Sequence, residues 1–126
     1  MRRGRKATVA LALLALVVPL VAQAQPRKQL SATQLRAAVY QTDPYIARII
    51  DREDGRWDPT ISYGGGHNPY DSYGLCQANP GTKMASAGPD WRTNVWTQLR
   101  WCRAYAISRY GSEANAWAYW QAHSGW

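Results

Sequence analysis

The 126-residue chain contains no phenylalanine, two cysteines and two histidines. Its aromatic supply is seven tryptophans and eight tyrosines, side chains that join an apolar face to a polar handle. That set suits a groove stacking on sugar rings; it also serves an ordinary core and surface with no ligand. Two His and two Cys stand at no recognised ligand spacing, so no metal site and no cofactor is expected. Internal repeats are absent, and nothing marks a second domain.

The stretch from Ala7 to Ala24 carries no charge. Arg2, Arg3, Arg5 and Lys6 precede it and Ala22-Gln23-Ala24 ends it, the three parts of an export signal cut after Ala24. An uncleaved anchor is the rival, because the run is barely long enough to span a bilayer. Pro19 and the small residues at the cut favour cleavage. Residues 1–24 are therefore read as a signal peptide, and the mature chain as secreted or wall-associated, without a membrane. Charge changes accordingly. Of 15 basic residues four lie in the signal, which leaves 11 against 8 acidic, a net of +3. No basic run survives beyond Arg27-Lys28, so nucleic acid is not an expected partner. A mild positive charge suits adhesion to an acidic polymer such as a bacterial wall.

Residues 25–126 read as one small monomeric unit: a leader and N-terminal helix over 25–42, then a domain over 43–126. Ser31 caps a helix to about Gln41, with Leu35, Ala38 and Val39 as its apolar side. Asp43 and Pro44 open the next helix as N-cap and first helical residue. Trp57 to Tyr63 and Tyr70 to Ala78 are predicted as the arms of a small irregular hairpin around Gly64-Gly65-Gly66. Asn94 caps a long helix from Val95 to Tyr110, stopped by Gly111, and Ser112 caps a last one to about Ala122.

The second helix carries the chemistry. Ile46, Ile49, Ile50 and Glu53 stand at i, i+3, i+4 and i+7 and share one face. Three are branched apolar residues and the fourth is an acid, placed where charge is unfavourable and just before the helix stop Gly55. Burial and the negative end of the helix dipole both hold such a carboxyl protonated, as a general acid requires. The plainer reading is a Glu whose long stem carries its head to water. Asp51, Arg52 and Asp54 point elsewhere and are expected to be solvated. In an exported chain, Cys76 and Cys102 are expected to form a disulfide. A nucleophilic Cys with His67 or His123 is the weaker alternative.

Glu53-Asp54-Gly55-Arg56-Trp57-Asp58-Pro59 and Tyr73-Gly74-Leu75-Cys76-Gln77-Ala78-Asn79-Pro80 resemble two blocks of the lytic transglycosylases with a lysozyme-like fold. Those blocks are Glu-Ser-x-aromatic-x-Pro and Gly-Leu-Met-Gln-x-x-Pro. The run from Gly81 to Asn94, then Gln98 to Trp101, and the ending from Ala116 to Trp126 are similar to small secreted members from actinobacteria. The resemblance spans about Tyr45 to Trp126. It implies an α+β, mostly α, lysozyme-like domain with a cleft and a minor β-element. It implies Glu53 as single catalytic acid/base on the bond between N-acetylmuramic acid and N-acetylglucosamine of peptidoglycan, with a 1,6-anhydro product. Gly74, Gln77, Tyr73, Trp120 and Gln121 are carried over as substrate-binding residues. Gly74 would let sugar approach the backbone, and Gln77 would bond an acetamido group. Trp120-Gln121 stand where the family has Tyr-Asn, so the Tyr hydroxyl is lost. Cys76 and Cys102 both depart from the family's usual residues, which strengthens the disulfide reading.

Beyond residue 24 the only glutamates are Glu53 and Glu113, and Glu113 opens the last helix, where an acid complements the dipole. Asp71 is the candidate second carboxylate. In the cleft it would permit a hydrolytic muramidase mechanism; otherwise it is a turn residue. A non-catalytic wall-binding module is the third reading.

Overall fold

The computed structural model describes residues 28–126; the expected signal peptide and the start of the leader lie outside the described residues. Four α-helices carry the chain: α1 (Ala32–Thr42), α2 (Pro44–Glu53), α3 (Val95–Tyr110) and α4 (Glu113–His123). Each begins where a local signal puts it. Ser31 Oγ accepts from Gln34 N at 3.2 Å while Gln34 Oε1 accepts from Ser31 N at 3.0 Å, a reciprocal box closing α1. Asn94 and Ser112 cap α3 and α4 through side-chain oxygens, and Gly111 ends α3 in the left-handed conformation. Asp43 precedes Pro44 but makes no side-chain cap bond; its carboxylate pairs with Arg103 of α3.

α2 packs against α1 and α4, and α3 against α4 and the 3₁₀ segment Gly81–Ala87. Ile46, Ile49 and Ile50 are fully buried, with Leu35 and Val39 from α1 and Leu99, Cys102 and Ala106 from α3. Burying each such branched side chain stabilises the fold by about 1.5 to 3 kcal/mol. The expected apolar stripe of α2 is therefore the centre of the core. Among the described residues no helix is long and apolar enough to cross a membrane.

The expected hairpin is not built as strands. Between α2 and α3, pairing is limited to isolated bridges of Tyr73 with Ser62 and with Ala78. Asp58, Asn68 and Asp71 turn their side chains onto backbone N–H groups one or two residues ahead, which competes with a ladder. Prolines at 59, 69 and 80 remove further donors. Tyr63–Gly65 and Gly81–Ala87 are 3₁₀ turns instead. The described residues form a mostly helical small domain with almost no strand.

Two features stiffen this irregular segment. Cys76 and Cys102, 26 residues apart, form a disulfide with a Cα–Cα distance of 6.2 Å. Closing a loop of that length is worth roughly 3 to 4 kcal/mol in the chain-entropy model. The buried Gln98 amide accepts from Leu75 N at 2.9 Å and donates to the carbonyls of Pro59 and Trp91, each at 2.8 Å. One side chain of α3 thus satisfies three backbone groups from separate stretches, groups that would otherwise be expensive to bury.

Candidate active site

Glu53 continues the buried face of α2 and is half-buried at its end. Its Oε1 accepts a 2.7 Å hydrogen bond from Trp120 Nε1 of α4. Burial pushes the carboxyl above its usual value, and the Trp120 N–H pulls part of the way back. Trp120 is held in turn: its ring stacks on Trp117 at 5.9 Å, and the Arg52 guanidinium lies 6.0 Å from its centroid. A hollow of about 260 Å³ opens at Glu53, with Asp54, Arg56, Tyr63, Gly65 and Gln77 in its lining. Among the described residues no cluster of three His, Cys, Asp or Glu offers a metal site.

The two aspartates flanking Glu53 are less solvated than the periodicity suggests. Asp54 is half-buried and caps the turn after α2, accepting from Asp58 N at 2.7 Å and Arg56 N at 3.3 Å. Burial outweighs those donors and pushes its carboxyl up to about 7. Asp51 meets the opposite fate. Arg36 reaches it through Nε and Nη2 at 2.9 and 2.8 Å, Tyr40 Oη at 2.6 Å and Trp57 Nε1 at 2.8 Å. Burial works upward on Asp51 as well, but these donors hold it down at about 2.

No family model, curated protein or solved structure matches this chain.

Of the residues expected in the site, Glu53, Gln77 and Trp120 come together. Gln77 lines the hollow, but its Nε2 is spent on the carbonyls of Ile61 at 3.1 Å and Gly74 at 2.9 Å, which leaves Oε1 for a ligand. Gly74 does not face a sugar. It is buried at φ +78°, and a Cβ there would lie 2.6 Å from Gln98 Oε1, so the protein's own packing demands glycine. Tyr73 is 4% exposed and donates its hydroxyl to Arg92 O at 2.7 Å; it is a core residue. Asp71 accepts from Ser72 N at 2.8 Å, as a turn aspartate does, and is not in the lining. Gln121 is exposed and also lies outside the lining.

Sequence reasoning missed Tyr63, which is 77% exposed at the mouth of the hollow. The signal available was an aromatic residue directly before three glycines, a place where the chain has no core to bury it in. It also placed Trp120 among the substrate-binding residues, whereas the indole N–H is the donor that holds Glu53. Chemically, the hollow offers two partly desolvated acids, of which Asp54 is tied to backbone N–H groups and Glu53 can give up a proton and take one back, together with an amide oxygen and an exposed aromatic ring at its rim.

Proposed function

We propose that the chain is an exported peptidoglycan lytic transglycosylase whose lysozyme-like domain is residues 43–126, with Glu53 as the single acid/base. One observation carries the reading: a half-buried Glu53, raised by burial, is bonded to Trp120 Nε1 at 2.7 Å and opens on a polar hollow. An acid with a raised pKa is what protonation of a glycosidic oxygen needs near neutral pH. Glu53 gives its proton to that oxygen as the bond from the muramoyl C1 breaks. The resulting carboxylate takes the proton of the C6 hydroxyl, whose oxygen bonds to C1 and closes the 1,6-anhydro ring. No water is consumed, and the carboxyl returns to its starting state.

Other groups fit supporting roles. Trp120 N–H holds the carboxylate formed midway, the duty a tyrosine hydroxyl could have had. Gln77 Oε1 accepts from an acetamido N–H, and the open ring of Tyr63 offers a stacking face to a pyranose. Asp71 does not line the hollow, which counts against the hydrolytic alternative. The disulfide suits an oxidising, extracytoplasmic setting. The test is mass spectrometry of products from purified peptidoglycan. Anhydro-muropeptides from wild type and none from Glu53→Gln are expected; reducing ends would indicate a muramidase, and no product from either would leave a wall-binding module.

A further inference from the structure

Gln77 borders a second hollow as well as the one at Glu53. This second space is about 190 Å³, and Asn79, Lys83, Trp101, Tyr105 and Trp126 complete most of its wall. Gln77 itself is held at φ +49°, in the left-handed region that residues other than glycine seldom occupy. Strain of that kind persists only where the surroundings impose it, and it gathers at binding sites. Here the imposing bonds are those from Nε2 to Ile61 O and Gly74 O.

The second hollow is rigidly built. Its wall residues Gln77 and Trp101 are the immediate chain neighbours of Cys76 and Cys102, so the disulfide ties its two sides together. Trp101 and Tyr105 stack at 4.9 Å, and Trp126 meets Tyr105 edge-on at 5.0 Å. Trp126 Nε1 donates to Cys76 O at 3.1 Å, which fixes the C-terminal indole over the same strap. At the rim, Asn79 and Lys83 are exposed, and Lys83 forms no ion pair among the described residues.

That inventory argues against a further sugar subsite. Trp101 is only 8% exposed and offers little ring face for stacking. A free ammonium, the Asn79 amide and the remaining Gln77 Oε1 beside a fixed aromatic wall suit an amide-rich ligand carrying a carboxylate. Peptidoglycan supplies one, since each muramoyl unit bears a short peptide. We infer that the second hollow binds the peptide stem of the substrate, with Lys83 on a stem carboxylate and Gln77 as the divider between glycan and peptide. The inference rests on the transglycosylase reading for the placement of the glycan.

Binding is measured on Glu53→Gln, which blocks turnover, with a disaccharide-tetrapeptide and with the same disaccharide lacking peptide. The stem-bearing ligand should bind about tenfold more tightly, the yield of one charge-assisted hydrogen bond. Adding Lys83→Ala should erase the difference, Lys83→Arg should keep most of it, and the free tetrapeptide should shift the Trp126 indole N–H resonance. Equal affinities for the two ligands, no binding of either, or a difference indifferent to Lys83→Ala would overturn the proposal. Wild-type cleavage of peptide-stripped and intact strands separates the two readings. Equal cleavage with equal binding removes the peptide site and leaves Glu53 chemistry standing. No cleavage, with a tetrapeptide shift that depends on Lys83, leaves the peptide site and removes the chemistry.

Discussion

Asp51 and Glu53 sit two residues apart on the last turn of α2, yet the two flanks of that turn treat a carboxyl in opposite ways. On the α1 flank Asp51 collects donors from Arg36, Tyr40 and Trp57 and is held at about 2. On the cleft flank Glu53 has one donor, Trp120, and burial prevails. Asp54 belongs with Glu53 despite two backbone donors, because its surroundings are less polar than its bonds can offset. Desolvation raises all three acids; the number and charge of the donors decide which is brought back down. The Asp51 flank is an anchor that fastens α1 and Trp57 to the end of α2. The Glu53 flank is left under-bonded, the condition the proposed acid/base role needs.

The contrast is tested most severely at Glu53. Glu53→Gln should lower turnover at least about a hundredfold while wall sedimentation stays near wild type, because Gln fills the space but cannot cycle a proton. The same variant should melt higher than wild type at pH 7, since it removes the ionisable group from a desolvated place. Retained turnover would end the assignment.

Asp51→Asn should instead cost stability, about 1 to 3 kcal/mol after discounting for solvent access, with activity falling only as the fold loosens. The signs of the pH dependence differ across the turn. Asp51, lowered from 3.8 to about 2, contributes stability that is present above its unfolded value and lost as pH falls towards 2. Glu53 and Asp54, both raised, contribute stability present below their unfolded values and lost as pH rises through the folded ones, for Asp54 about 7. Thermal melting should therefore peak between about pH 4 and 5, and the acid-side fall should be blunted in Asp51→Asn. A flat profile from pH 3 to 7 would show that the two flanks do not differ.

Trp120→Phe removes the single donor to Glu53 and makes the contrast sharper. The carboxyl should rise further and carry the alkaline limb of activity upward by up to about one pH unit. An unchanged or lowered limb would mean that the N–H does not act on the ionised form. Asp71→Asn should have the smallest effect, within about twofold in rate. A severe loss with folding intact would bring a second carboxylate into the reaction.

Short-range pattern was a good guide where the cause is short-range. Ser31, Asn94, Ser112 and Gly111 act on neighbours within a few residues, so the helix ends were legible. The i, i+3, i+4, i+7 set placed Glu53 beside a buried face for the same reason. What failed depends on distant partners. Trp120 lies 67 residues from Glu53, and nothing in its surroundings announces that its N–H rather than its ring is the working part. Asp51 looked solvated because Arg36 and Tyr40 belong to another helix. Gly74 looked like a gap for sugar because Gln98, which fills the space, comes 24 residues later. The hairpin was overestimated because two extended runs around a glycine turn were read without the side-chain bonds that compete for their backbone.

The Gln98 amide has a consequence for how the molecule breathes. By holding Pro59, Leu75 and Trp91 at once, it couples the stretch before the hollow, the stretch below it and the approach to α3, which should open together. The Leu75 N–H can reach solvent only when that amide lets go, so its hydrogen exchange reports the detachment of α3. Tyr63 and the three glycines after it lie outside this clasp. Tyr63 N–H and Gly65 N–H are bonded only locally, to Ser72 O and Ser62 O, so their exchange should be faster than that of Leu75. The floor of the hollow should therefore exchange with the opening of α3, and its rim ahead of it.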